Sequence, residues 1–241
     1  MAEWNFNIGK ITLPTPFPVG DVNVYVIKGD GLTLVDAGVK TKEAWEIFVK
    51  ELKSLGIEAG DIEQVVLTHH HPDHVGLLDF MPDIPVYAHR KAERWTYRTD
   101  AFMQQYRTFY RKLFSYYAVP ENLLWKIKEM EGTLIYSCTR NLSGYLKEGS
   151  EIPGLPDWKV VETPGHAQSH ISLWNERDGL MIAGDHILAD ISSNPLLEPP
   201  VQEDMERPKP LLQYNHSLKK VKDLPVDLVF SGHGTEVNNL S

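Results

Sequence analysis

Residues Val65 to Gly76 read VVLTHHHPDHVG, an apolar run that leads directly into four histidines and an aspartate. Val65, Val66 and Leu67 fit a buried strand. The cluster therefore sits where a strand ends inside a fold, not on a solvated tag. In an extended segment, positions i and i+2 project to the same side. His69 and His71 can then converge on one ion while His70 points elsewhere. Pro72 suits the first turn of a helix, which carries Asp73 and His74 towards the same cavity from a second backbone direction. Imidazole and carboxylate donors suit zinc, iron or manganese.

The surrounding chain alternates between strand and helix patterns. VNVYVIKGDGLTLVDAG reads as a hairpin, with Val22, Val24 and Val26 alternating with Asn23, Tyr25 and Ile27 and GDG at the turn. KEAWEIFVKELKSLG reads as an amphipathic helix with Ala44, Ile47, Phe48, Leu52 and Leu55 near one face and Gly56 as its stop. IEQVVLT and PVYAH are strands. Between Lys91 and about Met130, aromatic and apolar residues recur at helical spacing from Phe102 to Tyr117, interspersed with Arg90, Arg94, Arg98, Arg107 and Arg111. This segment is expected to be a helical insertion, with a second helix starting at Pro120. Strands resume with WKVVET, ISLWN, GLMIAGD and VDLVFSGHG. The proline-rich SSNPLLEPPVQEDMERPKP is expected to be a long irregular loop, a kind often used for function.

Two local echoes suggest that two similar β/α halves pack face to face. Asp30-Gly31-Leu32 and Asp178-Gly179-Leu180 each open a strand that ends at an aspartate, Asp36 and Asp185. Val65-Val66-Leu67-Thr68 and Val160-Val161-Glu162-Thr163 each precede a histidine motif.

With 241 residues the chain is expected to form one domain spanning 1–241. A net charge of −9 speaks against nucleic acid or an anionic membrane as partner. The single cysteine, Cys138, excludes an intramolecular disulfide and reads as a small buried hydrophobe. The N-terminus lacks a basic segment followed by an apolar one, and no run is long enough to span a bilayer. A cytoplasmic protein is the expectation.

Three later motifs, TPGHAQSH, AGDHI and SGHG, each follow a strand pattern and set a ligand-type residue beside glycine. With THHHPDH before them, the chain resembles the metallo-β-lactamase superfamily from about Pro16 to Gly234. THHHPDH matches that family's His-x-His-x-Asp-His signature, and the later motifs match its remaining histidines and its bridging aspartate. The resemblance implies a four-layer αββα sandwich interrupted by the helical insertion. It implies one divalent metal ion on His69, His71 and His166, a second on Asp73, His74 and His233, and Asp185 between them. Two ions about 3.5–4 Å apart can share a water whose pKa falls from about 15.7 toward 7. The hydroxide so formed is the expected nucleophile, with Asp73 to orient it or take its proton. Zinc is the expected metal, with iron or manganese as alternatives. Asp36, in LVDAG, is expected to fix ligand orientation. His70 is expected to stand aside, His170 to support its loop, His186 to be second to the site or merely adjacent, and His89 and His216 to be ordinary.

A small ester, thioester or related acyl compound is the leading substrate class. A phosphodiesterase or ribonuclease on the same metals, and a non-catalytic sensor, are the alternatives. Leu188 stands where the related lactonases carry a tyrosine, and His71 where the flavin-dependent diiron relatives carry glutamate. No basic glutathione-binding region and no substrate-clamping arm are found. The insertion is expected mainly to pack on the sandwich. As a lid it would bring Tyr97, Arg98, Tyr106 or Arg107 towards substrate, and its exposed aromatics offer a homodimer surface.

Overall fold

The computed structural model describes residues 1–238; positions 239–241, the end of the expected 1–241 unit, lie outside the described residues. Among the described residues, the first sheet contains β1 (Trp4–Asn5), β2 (Ile8–Leu13), β3 (Val22–Lys28), β4 (Leu32–Val35), β5 (Gln64–Val66), β6 (Val86–His89) and β7 (Gly144–Leu146), paired in that order. The second contains β8 (Glu151–Ile152), β9 (Leu155–Glu162), β10 (Ile171–Asn175), β11 (Leu180–Gly184), β12 (Leu228–Ser231) and β13 (Val237–Asn238), again in chain order across the sheet. The α-helices are α1 (Lys42–Ser54), α2 (Pro72–Val75), α3 (Glu93–Thr96), α4 (Asp100–Tyr116), α5 (Trp125–Gly132) and α6 (Pro210–Lys222). No helix of the described residues is long and apolar enough to cross a membrane.

The alternation in β3 sorts the layers. Val22, Val24 and Val26 enter the core shared with Phe48 and Leu52 of α1, while Tyr25 and Ile27 enter the core between the sheets. Both faces of the strand are buried, so it reads as apolar nearly throughout. In β11, Leu180 and Ile182 face the first sheet, whereas Met181 and Ala183 pack with Val221 of α6. The result is the expected helix–sheet–sheet–helix sandwich. Thr41 caps α1 by accepting from the Ala44 amide, and the predicted face of Ala44, Phe48 and Leu52 is buried. Fully burying each large apolar side chain contributes roughly 1.5–3 kcal/mol.

The two sheets share a connectivity. β2, β3, β4 and β5 pair antiparallel, antiparallel and parallel, and so do β9, β10, β11 and β12. The first echo is therefore an equivalence: Asp36 and Asp185 follow corresponding strands. The second is not. β5 corresponds to β12, whose loop carries His233, while Val160 to Glu162 lie on β9, the counterpart of β2. Local likeness reported β-propensity there, not sheet position.

The helical segment runs on past Met130, through a 3₁₀ turn at Thr133–Tyr136. Its second helix begins at Trp125, after a 3₁₀ turn at Glu121–Leu123 that follows Pro120. It has its own small core of Trp95, Phe102, Tyr106, Tyr110 and Ile127. Tyr116, Tyr117, Leu123, Leu124 and Trp125 stay exposed. α6 gives no clear apolar period, because Leu211 and Leu212 are exposed and its buried residues are Pro210, Ser217 and Val221. Cys138 is buried, and burial pushes its thiol pKa up to about 12.

Candidate metal centre

Strand ends deliver every candidate ligand to one rim of the sandwich. β5 leads to His69 and His71, and α2, with Pro72 at its start, carries Asp73 and His74. The loop after β9 supplies His166, the end of β11 Asp185, and the loop after β12 His233. Two groups result. Donor atoms of His69, His71 and His166 lie within 4.8 Å of one another, as do those of Asp73, His74 and His233. In the first, His71 Nδ1 is 3.0 Å from His69 Nε2 and 2.9 Å from His166 Nε2. In the second, His233 Nε2 is 3.5 Å from Asp73 Oδ2.

Asp185 reaches both groups. Its Oδ1 lies 3.3 Å from His74 Nε2, and its Oδ2 lies 3.4 Å from His166 Nε2 and 3.4 Å from His233 Nε2. His74 Nε2, His233 Nε2 and Asp185 Oδ1 are buried without a hydrogen-bond partner among the described residues. Orphaned buried donor atoms that converge in this way fit a bound cation.

The far side of each ring is held by protein. Asp36, at φ 61°, accepts from the Thr68 amide at 2.7 Å and from Thr68 Oγ1 at 2.7 Å, and its Oδ2 lies 2.8 Å from His74 Nδ1. Because Thr68 gives its hydroxyl proton to the carboxylate, it accepts from His69 Nδ1, 3.0 Å away. His233 Nδ1 donates to the Asp21 carbonyl at 2.7 Å. A proton on each Nδ1 leaves Nε2 of His69, His74 and His233 free to face the cavity. Asp36 thus has the orienting contacts expected of it. Thr68 and the Asp21 carbonyl were not foreseen. Thr68 sits beside His69 in the motif and could have been suspected; a backbone carbonyl leaves no trace in sequence.

The electrostatics follow the same division. Burial, reinforced by neighbouring imidazoles, holds His69 and His71 well below the usual histidine range. Burial also acts to lower His74, but Asp185, Asp36 and Asp73 outweigh it and hold that ring well above its ordinary value. For His233, burial is outweighed by the neighbouring carboxylates of Asp185 and Asp73, which raise it to about 9. Burial disfavours the Asp185 anion, yet His74, His233 and His166 hold its carboxyl well below the ordinary range.

Glycines permit the close approaches. Gly165 has φ 147°, and a Cβ there would meet the Tyr214 Cα at 2.5 Å. A Cβ on Gly232 would lie 2.1 Å from Asp185 Oδ1.

The remaining histidines separate as their positions require. His70 belongs to neither of these two groups. It is buried, bonds Ser169 Oγ through Nδ1 at 2.8 Å and stacks on Trp95 at 4.2 Å. Its donor atoms, with those of His71 and Glu198, form a further close group within 4.8 Å. His170 supports the site from behind: Nδ1 lies 2.7 Å from Thr163 Oγ1, and Nε2 accepts from the Asp185 amide at 3.1 Å. His186 is buried beside Tyr214, outside both groups.

Glu198 is the other unforeseen residue. It comes from the proline-rich loop, is buried, and accepts from the Gln168 amide at 2.8 Å. Burial pushes its carboxyl up to about 7. Of the four lid residues, only Tyr106 lines a cavity beside the site. Arg98 donates to Trp95 and Ser137, Arg107 pairs with Glu131, and Tyr97 is exposed.

Comparison with known proteins accords with this geometry. Residues 17–233 match the family described as the metallo-beta-lactamase superfamily. The chain is 46% identical over 231 residues to the probable metallo-hydrolase YqjP of Bacillus subtilis (strain 168), covering 95% of this chain and 72% of that protein. It is 24% identical over 228 residues to a hydroxyacylglutathione hydrolase of Bdellovibrio bacteriovorus, covering 92% and 68% respectively. A crystal structure of a metallo-beta-lactamase family protein from Thermus thermophilus superposes with a TM-score of 0.82 at 27% identity, covering 97% of this chain and 75% of that one. The chain belongs to the metallo-β-lactamase superfamily and is a metal-dependent hydrolase.

Proposed function

We propose that the protein is a binuclear hydrolase of a small ester, thioester or related acyl substrate. His69, His71 and His166 would hold one divalent ion, and Asp73, His74 and His233 the other, with Asp185 between them. The observation that carries this reading is the placement of Asp185, whose two oxygens approach His74 on one side and His166 and His233 on the other at 3.3–3.4 Å. Zinc is the ion we assign to these imidazole and carboxylate donors, with iron or manganese compatible. Bound there, divalent ions supply Lewis acidity towards a carbonyl oxygen and bring the pKa of water from about 15.7 toward 7.

The chain's own residues do the rest. Asp36 and Thr68 fix the proton on the far nitrogens of His74 and His69, so these rings keep one orientation through a turnover. His170 holds the Asp185 backbone, and therefore the carboxylate, in register. Asp73 is the carboxylate we assign to orient the attacking water and accept its proton. The hydroxyacylglutathione hydrolase among the relatives supports a thioester. Net charge −9, and the commitment of Arg98 and Arg107 to protein partners, disfavour a nucleic-acid substrate.

Metal analysis with a substrate panel tests this. We expect about two ions per chain, with turnover of thioesters or small esters. His71→Ala and Asp185→Ala should lose metal and activity together, whereas His70→Ala should keep most of its metal. A chain that binds at most one ion, or one that cleaves bis-p-nitrophenyl phosphate but no acyl ester, refutes the reading.

A further inference from the structure

A cavity of about 210 Å³ opens beside His71 and Pro72, between the helical segment and the proline-rich loop. Trp95, Tyr106, Tyr110, Met130, Leu134 and Leu197 give it mainly apolar walls, and His70, Thr133 and Glu198 also line it. Those walls are fixed in place. Trp95 is clamped between His70, stacked at 4.2 Å, and Phe102, edge-on at 5.0 Å. Tyr110 donates its hydroxyl to the Leu197 carbonyl at 2.7 Å, which ties the two walls together. Arg94 and Gln105 both donate to the Pro200 carbonyl, at 2.8 and 3.0 Å, and tie the loop to the helices. The cavity is thus built by two segments distant in sequence, stapled together, and it adjoins a candidate metal ligand.

We propose that this cavity is a specificity pocket that receives an apolar group attached to the scissile bond. This rests on the acyl-hydrolase reading of the adjoining centre. An apolar cavity of about 150 Å³ accommodates benzene. A volume of 210 Å³ then accommodates one aromatic ring with a short stem, or an alkyl chain of about six to eight carbons. Long fatty chains exceed it, and an acetyl group leaves it largely empty. A charged substituent would have to be buried against Trp95 and Tyr106 at a desolvation cost, so selectivity falls on uncharged groups. The apolar group can belong to the acyl part or to the leaving alcohol or thiol.

Leu134 is half-buried on the short turn after α5, which makes it the wall residue to alter. Two series of esters and thioesters, one varied in the acyl chain and one in the leaving group, are to be assayed with wild type, Leu134→Trp and Leu134→Ala. In the series that uses the pocket, the ratio of kcat/KM for the octyl-length over the two-carbon member should fall about tenfold or more in Leu134→Trp. It should rise in Leu134→Ala. Which series responds identifies which side of the substrate the pocket holds. A second readout needs no hydrolysis: saturation-transfer NMR with 1-hexanol should show contact in wild type and lose it in Leu134→Trp. If no acyl substrate turns over but hexanol contact depends on Leu134, the pocket stands and the acyl-hydrolase reading falls. Ratios unchanged within about twofold in both series, together with hexanol signals that do not differ between variants, overturn the pocket.

Discussion

Replacing Glu198 by glutamine in chelator-stripped protein removes a buried carboxyl without removing its acceptor oxygen. The wild-type side chain accepts from the Gln168 amide at 2.8 Å and lies 3.9 Å from His70 Nε2. A glutamine can keep the first contact and carries no charge. Burial raises the carboxyl from its ordinary 4.5 to about 7, against the opposing pull of the Gln168 amide, Arg94 and Lys91. A folded-state value above the unfolded one means that the fold prefers the protonated acid. Below about pH 4.5 both states are protonated and the wild type carries no penalty. As pH rises, the unfolded chain ionises first, and the penalty is complete above about pH 7. At about 1.4 kcal/mol for each pKa step, the full difference is about 3 kcal/mol. For a chain of this size that corresponds to roughly 6–12 °C in Tm. Glu198→Gln should therefore match wild type near pH 4.5 and exceed it increasingly up to pH 8. Urea or thermal unfolding of both proteins across that range measures the gap. A gap that stays flat between pH 5 and 8, or a variant less stable throughout, refutes the reasoning.

Two further outcomes follow from the contacts around the centre. Asp36→Ala removes the acceptor for Thr68 and His74, and metal affinity should fall roughly 10- to 100-fold in chelator competition; an affinity within about threefold of wild type would show that the rings hold their orientation unaided. Gly232→Ala drives a methyl to within 2.1 Å of Asp185 Oδ1, so the carboxylate must move. Metal content should drop while the far-ultraviolet circular dichroism stays native, and full metal occupancy in the variant would refute the steric account.

Much of the candidate centre was legible because its candidate ligands sit at strand ends next to glycine and proline, where local rules hold. Period two set His69 and His71 apart from His70; in the structure His69 and His71 form a close donor group with His166, while His70 bonds Ser169 and forms another with His71 and Glu198. Proline opens α2, on which Asp73 and His74 are buried. The α1 face was readable from its 3.6 period, with Gly56 as its stop. α6 was not, because two exposed leucines and a buried serine erase the pattern that normally marks a packed helix.

The sequence by itself determined the candidate donor residues, the strand ends that carry them and the layer each β3 side chain joins, since all three depend on spacing along one backbone. Tertiary structure decided what required two distant segments to meet. Asp185 lies between the groups because β11 and β5, in different sheets, end at the same rim. His70 is a packed residue under Trp95, tied to Ser169, because the helical segment and the loop after β9 close over it. Glu198 is buried, with its pKa pushed up, because the proline-rich loop folds onto that same helical segment. Burial and cavity shape arise from contacts that no local pattern encodes, and they give the wall beside His71 its chemistry.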